Sequence, residues 1–140
     1  MQPNDGRAIP AFIAEALNDE PITVFGNGSQ TRSFCYIEDL IDGIYRLSIK
    51  DYHEPVNLGN PNEMTILQLA EKIKELVKSQ CPIIFKELPQ DDPKVRRPDI
   101  TRAKNLLGWE PKVDLSMGLK KTIEYFKKIK KEKGVLQWQK

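Results

Sequence analysis

Residues 21–39 read P-I-T-V-F-G-N-G-S-Q-T-R-S-F-C-Y-I-E-D, and the folding of this stretch decides the rest of the chain. Ile22, Thr23, Val24 and Phe25 are a run of strand formers, Asn27-Gly28 is a turn signal, and residues 34–37 are a second apolar run. Together they predict a strand, a loop and a second extended segment. Arg32 stands between the two runs. A fork-shaped cation on a polar loop beside aromatic extended segments suits an anion that carries a flat group. A plain hairpin turned by Gly26 and Gly28, with Arg32 solvated, fits the same residues equally well.

Upstream, residues 4–7 read as a polar turn, and Ile9, Phe12, Ile13, Ala16 and Leu17 recur at helical spacing. They predict an amphipathic helix over residues 8–18, ended by Pro21. Downstream, Leu40, Ile41, Ile44, Tyr45 and Ser48 give another helical face, opening near Asp39. Residues 56–58 read as a short strand closed by Gly59-Asn60-Pro61. Thr65 and Gln68 stand in capping-box relation and open a helix carrying Ile66, Leu69, Ala70, Ile73, Leu76 and Val77. Residues 82–86 read as a strand. Residues 87–99, with Pro89, Pro93 and Pro98, lack periodicity and read as a long exposed loop. A helix from Thr101 to Leu107 should stop at Gly108, and Trp109-Glu110-Pro111 makes a rigid corner. Leu115, Leu119, Ile123, Phe126 and Ile129 form the last helical face, opened near Ser116. Residues 1–132 are thus one unit, followed by a polar, disordered tail over 133–140.

Helices and short strands mixed along 140 residues describe one domain of α/β or α+β class. The run of alternating strands and helices of a complete doubly wound domain is missing, as are G-x-G-x-x-G and the phosphate-loop pattern. A net charge of +2 is too small to argue for nucleic acid or a membrane surface, and neither is expected as a partner. Lys127, Lys128, Lys130, Lys131 and Lys133 crowd near the end, where they read as the solvated side of the last helix. The two cysteines, Cys35 and Cys81, lie in apolar runs and read as buried free thiols in a reducing compartment. No stretch approaches the ~20 apolar residues of a membrane span, and the start does not read as a signal peptide. A cytoplasmic location is expected.

Catalytic and metal-binding patterns are sparse. His53, the single histidine, sits in a polar loop; no serine has a nucleophile-elbow context; no cluster has metal spacing. Asp91-Asp92 reads as a solvated pair. The second notable cluster is Arg96-Arg97-Pro98-Asp99. Arg32 and Arg96, from distant loops, could close on one pyrophosphate by paired charge-assisted hydrogen bonds, with Asp99 accepting from ribose hydroxyls. A solvated basic turn and a helix cap at Asp99 are the alternatives.

Five stretches in order carry a resemblance: P-N-D-G-R at 3–7, G-N-G-S-Q-T-R at 26–32, P-V-N-L-G-N-P at 55–61, Q-D-D-P at 90–93, and R-P-D-I at 97–100 with L-G-W-E-P at 107–111. Together they resemble the C-terminal part of the UDP-glucuronic acid decarboxylases (UDP-xylose synthases). These are extended short-chain dehydrogenases/reductases akin to nucleotide-sugar 4-epimerases and dTDP-glucose 4,6-dehydratases. The resemblance covers residues 2–130 and implies the substrate-binding lobe of a Rossmann-type enzyme whose glycine-rich half is absent. It implies that Thr23 and Phe25 meet the uracil ring, that Arg32 and Arg96 clamp the diphosphate, that Asp99 faces the ribose and that Arg7 lies toward the sugar and cofactor end. It further implies NAD as cofactor of a homodimeric parent. There, oxidation at sugar C4 allows loss of carbon dioxide from a 4-keto acid before the hydride returns. None of the tyrosines here has lysine at plus four, so catalytic residues and NAD are expected in the missing Rossmann half, and this chain alone is not expected to turn over.

Three readings follow. The chain is a UDP-sugar-binding lobe of a decarboxylase (UDP-glucuronate to UDP-xylose), or the same lobe of a dehydratase or epimerase, or a non-catalytic module whose lysine-rich helix meets an acidic partner. A lobe of this kind should expose apolar surface where its other half is missing, and self-associate.

Overall fold

The computed structural model describes residues 7–87 and 95–134. Residues 88–94 of the expected loop, including Asp91-Asp92, residues 4–6 of the expected turn and residues 135–140 of the expected tail lie outside them. Ten elements follow in order: α1 (Ala8–Leu17), β1 (Ile22–Phe25), β2 (Thr31–Ser33), α2 (Ile37–Ser48), β3 (Glu63–Thr65), α3 (Ile66–Val77), β4 (Ile83–Lys86), β5 (Val95–Arg96), α4 (Thr101–Leu107) and α5 (Leu115–Lys133).

α1 is apolar apart from Glu15, and every residue from 9 to 16 is buried. Its alanines let α3 and α5 approach closely, and Pro10 is tolerated because first-turn amides have no partner within the helix. Beneath these helices β1 pairs in parallel with β4, Ile22 opposite Ile83 and Phe25 opposite Lys86. Phe12, Ile13, Ile22, Val24, Leu69, Ile73, Ile123 and Phe126 form this principal core. A second, smaller core gathers Ile100, Ala103, Leu107 and Trp109, with Val56 and Leu58 against it. Trp109 is buried, and its Nε1 donates to the Asp39 carbonyl at 2.9 Å.

Local signals set several boundaries. The Thr65–Gln68 capping box forms in both directions, at 3.1 and 2.9 Å. α4 ends where Gly108 takes a left-handed conformation at φ 58°, which glycine adopts without a Cβ penalty. Asp114 caps α5 by accepting from the Ser116 and Met117 amides, two residues ahead of the expected opening. The helix runs to Lys133, one residue past the boundary expected at 132.

Two strand expectations need correction. Residues 56–58 form no strand: Val56 and Leu58 pack on the Trp109 core, and Asn57 Nδ2 donates to the Asp99 carbonyl at 3.3 Å. The strand lies later, at Glu63–Thr65, antiparallel to β2. Likewise the extended segment after the glycine turn is Thr31–Ser33, not residues 34–37; Ile37 already begins α2. Pairing on both sides of β2, with β3 and with β5, fixes the polar Thr-Arg-Ser as strand, while Phe34 goes to the core. β1 and β2 belong to different sheets, so residues 26–30 join two sheets and close no hairpin.

Candidate functional site

The sheet ordered β3-β2-β5 carries the paired arginines. β2 and β5 run parallel with Thr31 opposite Val95 and Arg32 opposite Arg96. Neighbouring strands lie about 4.8 Å apart, and residues in register share a face. The two arginines, 64 positions apart in sequence, therefore leave one face of one sheet side by side. Ser33 Oγ donates to the Arg96 carbonyl at 3.2 Å and ties the strands again. Arg32 is half-buried, with Nη1 donating to the Thr31 carbonyl at 2.8 Å, and Arg96 is exposed. Like charges opposite one another on a sheet cost stability, a cost that an anion with several acceptors for two forked cations would offset.

Arg97, the neighbour in sequence, goes elsewhere. Its Nη1 stands 4.0 Å from Glu63 Oε2, and Glu63 also accepts from Thr31 Oγ1 at 2.7 Å. The basic dipeptide is split between two environments, and only Arg96 shares a register position with Arg32.

Asp99 follows β5 at the mouth of α4. Its Oδ1 accepts from the Thr101 amide at 2.9 Å, and the Asn57 side chain holds its carbonyl. Hydrogen bonds from the Thr101 side chain and amide, with a smaller contribution from Arg97, hold the Asp99 carboxyl below the usual range. Asp99 stands one residue ahead of the N-cap, which is Ile100, and not at the cap itself as the alternative reading had it; from there its carboxylate holds the Thr101 amide and is ionised at neutral pH. It lines a recess of about 560 Å³ with Tyr52, Thr101, Arg102 and Asn105. A second hollow of about 500 Å³ lies between Phe34, Asn62, Lys104 and Val113. Arg32 and Arg96 line neither of these two.

Thr23 and Phe25 lie on the other sheet. Thr23 is buried, and its amide donates to Glu15 Oε2 at 3.0 Å. Phe25 is 39% exposed at the strand's end, and its carbonyl accepts from Gln30 Nε2 at 2.9 Å. Gln30 thereby fastens the end of β1 to the connection that delivers Arg32. Arg7 caps the start of α1 through its backbone and is exposed. The structure brings together Arg32 and Arg96, with Asp99 three residues on; Phe25 is linked to them through Gln30, Thr23 is buried beside Glu15 of α1, and Arg7 is exposed at the start of α1.

Sequence reasoning assigned no role to Glu15 or Gln30 and read Gly59 only as part of a turn. Glu15 is 1% exposed; its signal was an acid placed three residues from Phe12 on an apolar helix. A Cβ on Gly59 would lie 2.8 Å from Pro98 Cγ, so glycine there lets the 55–61 segment brace the residues between Arg96 and Asp99. The cysteines are free; Cys81 is buried and Cys35 half-buried. Burial, then the charge of Asp39, pushes the Cys35 thiol up to about 11, which suits packing rather than nucleophilic work. His53 is exposed, 3.3 Å from Asp51.

The residues described here do not fit NAD. A dinucleotide needs a glycine turn leading from a strand to a free helix N-terminus. The turn after β1 leads to another strand. The first amides of α3 are taken by the Gly28 and Gln30 carbonyls and by Thr65 Oγ1. Among the described residues no helix is long and apolar enough to cross a membrane.

Fold and sequence together define the class: the chain belongs to the family described as GDP-mannose 4,6 dehydratase, which matches residues 2–122. Within it, the chain is 55% identical over 126 residues to the UDP-glucuronic acid decarboxylase 1 of Danio rerio, covering 90% of this chain but 30% of that protein. Among solved structures, it resembles the UDP-glucose 4-epimerase of Thermotoga maritima with UDP-glucose, at 33% identity and TM-score 0.84, covering 87% of this chain and 40% of that one. It is also similar to the UDP-glucuronic acid 4-epimerase of Bacillus cereus in complex with UDP-glucuronic acid and NAD, at 31% identity and TM-score 0.83, covering 89% and 40%. The chain thus spans about a third of the length of such relatives.

Proposed function

We propose that this chain is the UDP-sugar-binding lobe of an NAD-dependent UDP-glucuronate decarboxylase, and that it binds and orients the nucleotide without performing the chemistry. Arg32 and Arg96 grip the diphosphate. Phe25 offers its exposed ring to the uracil, with Thr23 behind it as a buried anchor. Asp99, ionised and with one carboxylate oxygen committed to the helix start, turns the other toward the ribose hydroxyls. Arg7 serves the sugar end. NAD, the catalytic residues and the contacts of a homodimer belong to the part of the fold this chain does not contain. A cytoplasmic setting fits the two free thiols.

The observation that carries this reading is the register of Arg32 with Arg96. Identity of 55% to a decarboxylase, against 33% and 31% to epimerases, favours decarboxylation among reactions that share a UDP-sugar. A chain that accounts for 40% of the fold supplies part of the cleft, so UDP should bind this chain alone with a Kd on the order of millimolar. In titration calorimetry, Arg32→Ala and Arg96→Ala should each weaken UDP binding about tenfold or more, whereas Arg97→Ala, paired toward Glu63, should change it little. Wild-type affinity in both of the first two variants would remove the diphosphate assignment.

A further inference from the structure

α2 carries its side chains in the reverse of a surface helix's usual order. Its buried residues are Asp39 and Gly43. A Cβ on Gly43 would stand 2.9 Å from Leu58 Cδ2 and 3.0 Å from Trp109 Cε2, so at this position the inward face has room for nothing larger than glycine, and Leu47 one turn on packs against the same core. The helix cannot roll: Asp39 accepts from Trp109 Nε1 on its carbonyl and from the Val113 amide on Oδ2, both at 2.9 Å. Arg46 Nη1 reaches the Leu107 and Gly108 carbonyls at the end of α4. On the outer side Ile37, Ile41, Ile44, Tyr45 and Ile49 are each more than half exposed. These positions recur at helical spacing and form one stripe. A contiguous apolar patch on a folded domain marks a contact surface.

We propose that this stripe is the seam onto which the remainder of the family's fold closes, through an apolar face of its own. The inference rests on the reading of the chain as one lobe of a larger enzyme. Two observations choose that occupant. The chain follows the Bacillus cereus epimerase along 89% of its own length yet accounts for 40% of that fold, so α2 sits in an architecture most of whose mass lies elsewhere. The charges beside the stripe are already matched within the chain, Glu38 with Lys121 at 3.1 Å and Asp42 with Arg46 at 3.0 Å. What remains is a dry apolar contact of the kind found inside domains and obligate assemblies.

The test co-expresses the 140-residue chain with the part of the Danio rerio relative outside the matched 126 residues. Light scattering after size exclusion should show a one-to-one complex, formed at the expense of any self-association of the lone chain. The pair Ile41→Glu and Ile44→Glu should weaken it at least a hundredfold while circular dichroism stays unchanged, since both side chains already face solvent. Glu71→Lys and Lys128→Glu, on other exposed surfaces, should leave it intact. Copies of this chain that stay bound to each other and exclude the added part would overturn the proposal in favour of a second copy. A complex indifferent to the double variant would place the seam elsewhere. UDP titration of the complex separates the two readings: a complex formed through the stripe that takes no UDP supports the seam and counts against the diphosphate site.

Discussion

α1 and α2 are both short helices rich in large apolar residues, and they end in opposite states. α1 buries every residue from 9 to 16 between α3, α5 and β1. α2 buries an aspartate and a glycine and presents its isoleucines to solvent. Burial of apolar area is worth roughly 25 cal/mol per Å², so α1 contributes its share to folding now, and α2 holds most of its share for a surface this chain does not supply. The contrast separates a region complete in itself from one that is a face of something larger.

The largest expected effect breaks that contrast if it fails. Phe12→Ala in α1 should destabilise by about 3–5 kcal/mol, transfer loss and cavity together, while Ile41→Ala in α2 should stay within about 0.5 kcal/mol. Urea melts of both variants read the difference directly; a large loss at Ile41 would mean that α2 is already covered. Next comes Glu15→Ala, at about 1–3 kcal/mol, because it strands the buried Thr23 amide. Smaller again is Thr65→Ala, about 1 kcal/mol, for loss of the capping box on α3. A Glu15→Ala protein as stable as wild type would show that the carboxylate does not hold α1 to β1.

What was legible in the sequence was local. The limits of α4, the capping box and the left-handed Gly108 depend on neighbours within a few residues, and they formed as the residues indicated. β3 was not legible: Glu-Met-Thr has no strand signature and is extended because β2 pairs with it. Arg32 and Arg96 were both visible as cations, but their common register depends on a parallel pairing across 64 positions, and short-range pattern carries no such information. α2 is the sharpest case. Its periodicity identified an apolar face correctly, yet periodicity cannot say whether that face meets this chain or another part of a longer fold. The small inward face, Asp39 and Gly43, was the available clue.

The smallest effect lies beside the second core, at Asp99, and it sharpens the comparison because it tests the α4 start that underlies α2. The bonds from Thr101 lower the folded carboxyl's pKa, so its stabilising contribution is present above the unfolded value near pH 3.9 and fades as pH falls through the lower folded value. Asp99→Asn keeps an acceptor for the Thr101 amide but has no charge to lose. The stability gap between wild type and this variant should therefore hold steady from pH 7 to about 5 and close on further acidification, read by urea midpoints across that range. A gap unchanged down to pH 2 would mean that the helix start uses Asp99 only as a neutral acceptor. The same ionisation bears on binding, since a charged carboxylate is the stronger acceptor for a ribose hydroxyl. UDP affinity should thus fall for Asp99→Asn at neutral pH even where stability scarcely moves.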